Sequence, residues 1–294
     1  MTDKRGVYVF LILTFGLTIA ASLIARRIGI SFVGDAGASA QAVLVAASSM
    51  FFPALSAVLV HVLLLKRPFK ELGFRWGDFS EYAKAYGIIA GLFLVNYAIV
   101  YLFFLKPDFS LHSFLAQYPD LTLPLPASRL ILIITLATFI GAPVLNMIPA
   151  LGEEIGWRGF LLPNLEPLGK RKAALLSGMI WAAWHTPMIL ILGFCYGVQA
   201  WPGALLHFAM VTGLGVWFAE VWFRTRSTVL SGFMHASFNG NFYGIWTIVF
   251  VSPNKLLIGP AGVIGAALCL LLGVFYWSRL SNDGVDGQAP VQLR

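Results

Sequence analysis

Long apolar stretches alternate along this chain with short polar connections. A helix rising about 1.5 Å per residue needs about 20 mostly apolar residues to cross a hydrocarbon core of about 30 Å. Eight stretches meet that requirement, at roughly 7–25, 41–65, 86–105, 129–162, 173–193, 202–222, 228–251 and 259–278. The fourth is too long for one span and is interrupted. The first has a long apolar run followed by Arg26-Arg27 and no small-residue cleavage pattern, so it is expected to stay as an anchor and not to be removed as a signal peptide. The pattern predicts an all-α polytopic membrane protein of about eight transmembrane helices, forming a single integral membrane domain over 1–280.

Between the stretches, 66–85 is polar and basic enough to lie on a membrane surface, with Phe69, Leu72, Phe74 and Trp76 dipping into the interface. The connection 106–128, with Pro107, Pro119, Pro124 and Pro126, reads as an irregular outer loop. Residues 281–294 read as a disordered C-terminal tail. No soluble domain, internal repeat or low-complexity segment stands out.

Composition agrees with lipid as the solvent: 59% of residues are hydrophobic and 11% charged, with a mean hydropathy of +0.81. A soluble domain cannot bury that much apolar surface. The net charge of +7 does not point to nucleic acid, because the basic residues sit between spans and not on an amphipathic face or an aromatic-interleaved patch. They encode orientation instead. Leaving aside Arg158, which is membrane-embedded, fourteen lie at the N-terminus, the even connections and the C-terminus, among them Lys4, Arg5, Lys66, Arg67, Lys170, Arg171, Lys172, Arg224 and Arg226. Only five, Arg26, Arg27, Lys106, Arg129 and Lys255, lie in the odd connections. The positive-inside bias therefore predicts both termini in the cytoplasm, and an integral protein of the bacterial cytoplasmic membrane. Cys195 and Cys269 lie in different apolar segments without metal-type spacing and read as buried thiols.

In lipid the informative residues are the costly ones, since an ionisable side chain at membrane depth costs a few kcal/mol and faces the bundle interior or a water-filled cavity. The titratable set inside the stretches is His61, Glu153, Glu154, Arg158, His185, His207, Glu220 and His235. Glu154 and Arg158 are four apart, so they can meet on one helix face, while Glu153 points about a hundred degrees away. A structural ion pair is the bland reading, but two adjacent carboxylates with one arginine leave a charge unexplained. His185 follows Trp181 by one turn, and His235 and Asn239 are again four apart; as single features these read as packing or interhelical hydrogen bonding. Counting in from the basic helix ends places Glu153 at roughly 15 Å, His185 at roughly 18 Å and His235 at roughly 12 Å. Three helices thus bring costly groups to one level. Glu220 and Arg224 form a helix-end pair that can snorkel. His61 and His207 lack a sequence partner; His207 is the nearer to the site, and both read as packing residues.

At these residues the chain resembles the family of CAAX-prenyl proteases and bacteriocin-processing enzymes, whose pattern is E-E-x-x-x-R, then aromatic-x-x-x-H, then H-x-x-x-N. Glu153-Glu154-Ile-Gly-Trp-Arg158, Trp181-Ala-Ala-Trp-His185 and His235-Ala-Ser-Phe-Asn239 match in order, within a motif-bearing core at 128–250. Trp181 departs from the usual Phe. The resemblance implies a metal-independent intramembrane endopeptidase without cofactor, acting on a membrane-associated peptide or protein. Glu153, helped by His185, would activate water, His235 and Asn239 would stabilise the oxyanion, and Arg158 would orient the carboxylates, with Glu154 as its partner. Trp181 and Trp157 would contact the substrate. Gly152, Gly156 and Gly159 would allow close helix approach, and with Pro143 and Pro149 would open a water-accessible cavity.

Other chemistries compete with this one. There is no His-Glu-x-x-His for a zinc protease and no membrane aspartate pair, and Ser177 or Ser231 as the nucleophile of a Ser-His dyad lacks a recognisable motif. The same residues could instead hold a metal or relay protons in a transporter. They could also serve a non-catalytic scaffold or immunity protein.

Overall fold

A computed structural model describes residues 3–33, 40–118, 121–252 and 254–281 of the chain. The expected tail lies outside the described residues except Ser281, as does Pro119 of the outer loop. The described residues form helices and connections, without strands. Six helical segments are long and apolar enough to cross a membrane. They are α1 (Lys4–Arg27), α2 (Ala40–Leu64), α3 (Phe79–Phe103), α4 (Ala127–Leu145), α6 (Lys170–Leu192) and the stretch Gly197–Thr225, most of which is α7 (Ala200–Thr225). Between α4 and α6 lies α5 (Met147–Glu154); after α7 come α8 (Thr228–Phe242) and the shorter apolar α9 (Val263–Arg279). Every apolar stretch of the sequence thus coincides with helix.

Three stretches are broken as they fold. The second breaks at a turn over Met50 and Phe51. The fourth is interrupted at Asn146, between α4 and α5, and past Glu154 it winds as a π-helix over Ile155–Leu161 before ending at Leu162–Leu165. The seventh is two pieces. Helix α8 stops at Phe242, and a short helix, Ile245–Val249, restarts after Gly244. The Thr138 hydroxyl accepts from the Ile245 N–H at 3.0 Å, and Asn241 accepts from the Trp246 indole at 3.0 Å. These side chains satisfy backbone and indole groups that the break would leave bare in lipid.

The connections sort to two ends. At one end the Thr228 N–H donates to Gly73 O at 2.9 Å, Arg226 pairs with Glu166 at 2.6 Å, and Arg171 donates to Leu280 O at 2.7 Å. At the other, Phe32 N–H donates to Leu192 O at 2.7 Å, Asp108 N–H to Val249 O at 2.7 Å, and Tyr196 Oη to Ala261 O at 2.9 Å. The basic connections are those gathered at the first end.

Helix α5 and the π-helical segment after it approach α2 and the 69–72 turn closely: a Cβ on Gly152 would meet Met50 O at 2.7 Å and one on Gly159 would meet Leu72 O at 2.7 Å. Gly156 sits as tightly on Pro53. Small residues let backbones pack where lipid supplies no hydrophobic drive. The buried centre holds Trp157, Trp184, Trp217 and, unusually for an apolar core, Arg158.

Candidate active site

The predicted residues of α5, α6 and α8 meet in the buried centre. Glu154 and Arg158 are both 0% exposed. One guanidinium nitrogen of Arg158 lies 3.0 Å from Glu154 Oε1 and 2.9 Å from Oε2. The rest of the guanidinium lies over aromatic faces, 4.3 Å from the Trp181 ring and 5.0 Å from Phe218. That geometry accounts for Nε and Nη2 lacking hydrogen-bond partners, since a cation over a ring is held by the ring quadrupole. His235 reaches across from α8, and its Nδ1–H donates to Glu154 Oε1 at 2.9 Å. Glu154 is therefore occupied on both sides, tying α5 to α8.

Glu153, its sequence neighbour, turns the other way. Its Oε2 accepts from the Trp181 indole N–H at 2.7 Å and from the Trp157 N–H at 3.4 Å. Both indoles stand behind the carboxylate. Trp157 is fully buried, edge-on to Phe10 at 5.6 Å and Trp184 at 5.7 Å.

The third group is His185. Its Nδ1 lies 2.9 Å from the carbonyl of Trp181, one turn back on α6. A carbonyl only accepts, so the proton sits on Nδ1 and the Nε2 lone pair stays free. Trp184 packs edge-on to the imidazole at 4.8 Å and is itself anchored to α1, its N–H donating to Thr18 Oγ1 at 2.7 Å. Trp181 is thus a hub: its indole holds Glu153, its carbonyl holds His185, and its ring lies beside His235 at 5.3 Å.

Asn239 stands one turn beyond His235 on the same face of α8, half-buried, and its side chain makes no hydrogen bond among the described residues. Tyr243, one further turn along, is exposed. Accessibility along that face therefore rises toward the C-terminal end of α8.

Two further side chains reach the site: Phe218, which the sequence reading did not name, and His207, which it singled out as the better candidate of two lone histidines to touch the site but assigned to packing. Phe218 of α7 seats Arg158, and His207 of α7, taken as a packing residue, lies 4.8 Å ring to ring from His185. A lone histidine with no polar neighbour one turn away carries no signal of such a contact.

The remaining polar groups stand apart. Arg224 pairs with Glu220 at 2.6 Å and Glu81 at 2.8 Å at the helix end, and His61 lies 3.2 Å from Pro68 O. Ser231 donates to Ser227 O at 3.2 Å, and among the described residues no histidine hydrogen bonds to Ser177 or Ser231.

Residues 127–241, which carry all of these motifs, match the family model for the type II CAAX prenyl endopeptidase Rce1-like proteins. The chain is also 35% identical over 54 residues to CAAX prenyl protease 2 of Methanococcus maripaludis, a stretch covering 18% of this chain and 20% of that protein. With its apolar helices the chain is a multi-pass integral membrane protein, and its motif-bearing core is similar to the Rce1-like CAAX prenyl endopeptidases.

Proposed function

We propose that this protein is a glutamate-type intramembrane endopeptidase that hydrolyses a peptide bond near the cytoplasmic membrane face, in a bacterial cytoplasmic membrane, without a metal ion. The observation that carries the reading is the division of labour between adjacent carboxylates. Oε1 of Glu154 accepts from both Arg158 and His235 and its Oε2 lies against the same guanidinium nitrogen, so this carboxylate is committed to charged partners, while Glu153 has one oxygen held by two neutral indole N–H groups and, among the described residues, no hydrogen-bond partner on the other. A purely structural lock needs only the first of these.

In this mechanism a water molecule sits between Glu153 and the free Nε2 of His185. Its proton passes to this pair as its oxygen attacks the scissile carbonyl carbon. The resulting oxyanion receives hydrogen bonds from the Asn239 amide and from Nε2–H of His235. His235 can donate from Nε2 only as an imidazolium, because its other N–H is given to Glu154. Two carboxylates and one guanidinium leave one negative charge, and that imidazolium balances it. When the tetrahedral intermediate collapses, the C–N bond breaks and the proton held by Glu153 and His185 leaves with the amine. A peptide carbonyl that reaches His235 and Asn239 receives their hydrogen bonds, with Trp181 and Trp157 acting on it through the carboxylate they position.

The family match makes prenylated C-terminal peptides the first substrates to test. The test compares the termini of membrane proteins by mass spectrometry in cells carrying wild-type chain or Glu153→Ala at equal abundance. Products found only with the wild type establish proteolysis and name the substrate. Identical termini with any phenotype intact would refute it in favour of a scaffold or immunity role, and a Glu153-dependent ion flux would favour a transporter.

A further inference from the structure

His207 is 4% exposed, and among the described residues neither of its ring nitrogens has a hydrogen-bond partner. That is costly, because a buried polar group without a partner loses its hydration and gains nothing in return, at about 1–3 kcal/mol. Imidazole always presents at least one N–H donor, and when neutral also one lone pair. Aromatic rings close its other sides, with Phe194 at 6.4 Å and Tyr196 at 6.0 Å. On the remaining side is the ring of His185, 4.8 Å away and tilted by 52°. His185 offers a lone pair in that region, because its own proton is spent on Trp181 O. Two imidazoles of complementary hydrogen-bonding capacity thus stand side by side without bonding to each other. Buried polar groups arranged in this way bind ordered water, which needs two to four polar partners.

We propose that His207 is a further positioning residue of the site, which holds a water molecule against Nε2 of His185 by donating its ring N–H to the water oxygen. The proposal rests on the protease reading for its consequence, and on the unpartnered nitrogens for its existence. The water so held feeds the attacking position. It arrives with a hydrogen directed at His185 Nε2, so that Glu153 and His185 do not have to recruit it from the accessible strip of α8. His207 acts through water and His185 and does not touch the peptide.

Two variants separate this role from packing. His207→Phe keeps an aromatic ring of similar volume and removes both nitrogens; His207→Gln keeps an N–H donor and loses the ring. If His207 holds water, His207→Phe lowers kcat about tenfold, the worth of one ordinary hydrogen bond, with KM unchanged, and His207→Gln recovers most of the loss. If His207 is packing, the order reverses, and a His207→Phe enzyme as fast as wild type overturns the proposal. An activity-independent measurement accompanies the kinetics: exchange of the imidazole C2 hydrogen with deuterated water, followed by mass spectrometry, in the wild type and in Glu153→Gln. A wet His207 exchanges at a rate within about tenfold of His185 in both proteins; a His207 protected at least a hundredfold beyond His185 is dry, and also overturns the proposal. Should the wild type turn over no substrate, the protease reading fails by itself, and the exchange rate alone decides whether water occupies the space between the imidazoles.

Discussion

Replacing Arg158 by methionine removes a permanent positive charge buried in the core while keeping most of the side chain's length. Both partners of its ion pair are 0% exposed, so solvent cannot compensate the loss. Breaking a buried pair by removing one member costs about 3–5 kcal/mol in soluble proteins, because a bare buried charge is left behind. Two features of this site bear on that figure. Glu154 keeps its hydrogen bond from His235, which lessens the cost, while the two aromatic contacts of the guanidinium, each worth about 0.5–2 kcal/mol, are also lost. An unfolded chain that stays in the membrane finds other partners for its polar groups, which holds the average interhelical hydrogen bond there to about 0.6 kcal/mol. The expected cost of Arg158→Met is about 3 kcal/mol. Glu154→Gln costs a similar amount, and the double variant costs about 4, less than the two together, giving a coupling of about 2 kcal/mol. The assay is reversible unfolding in mixed micelles of the wild type, both single variants and the double variant. A coupling at or below about 0.6 kcal/mol would refute the claim that this pair is a lock and reduce it to ordinary membrane polar contact.

Four further outcomes follow from the same contacts. Glu153→Gln abolishes hydrolysis while leaving unfolding stability unchanged or raised, because an amide is cheaper to bury beside two indoles than a carboxylate; a marked loss of stability would return Glu153 to a structural role. Trp181→Phe restores the residue usual in the family and removes the 2.7 Å donor to Glu153. It lowers kcat at constant KM, and Trp157→Phe, whose donor lies at 3.4 Å, lowers it less; the reverse ranking would show that Trp157 holds the carboxylate. Ser177→Ala and Ser231→Ala, and treatment with a strong zinc chelator, leave turnover within about twofold of wild type; a tenfold loss in any of them would reopen the serine or metal chemistries. Single cysteines at Lys70 and Lys170, in a Cys195→Ser/Cys269→Ser background, are expected to be labelled from the cytoplasmic side only, whereas labelling from outside would invert the orientation drawn from the basic connections.

How much of this was legible beforehand depended on how local the signal was. Span positions come from composition over about 20 residues, so each helix core stood where hydropathy placed it. Contacts one turn apart were equally readable, as Glu154 with Arg158 shows. The break after Phe242 was not, because the group that caps the restarting helix is a hydroxyl from α4, Thr138, more than a hundred residues away. His207 was only half-readable: it was the better candidate of the two lone histidines to touch the site, but its partner His185 belongs to another helix, and nothing within a turn of His207 names that contact. The indole N–H groups on Glu153 fall between these cases. Trp157 is four residues from Glu153, but only the path of α6 brings Trp181 to the same oxygen.

The adjacent pair Glu153-Glu154 resolves a conflict that a single carboxylate could not. A base must keep an oxygen free, yet a free carboxylate in a membrane interior is expensive and mobile. A carboxylate held between Arg158 and His235 is committed to those two cations. Splitting the tasks between successive residues places them on different helix faces, with Glu154 turned toward Arg158 and His235 and Glu153 toward the indoles. The lock then ties α5 to α8, the helix that carries His235 and Asn239. A Glu153→Asp change should therefore be worse for turnover than its charge conservation implies, because the shorter side chain cannot reach both the Trp181 N–H and the water, while Glu154, Arg158 and His235 remain paired. Measured beside Glu153→Gln, an Asp variant that lost less than about tenfold in kcat would show that the carboxylate's position is loosely determined and that the indoles do not set it.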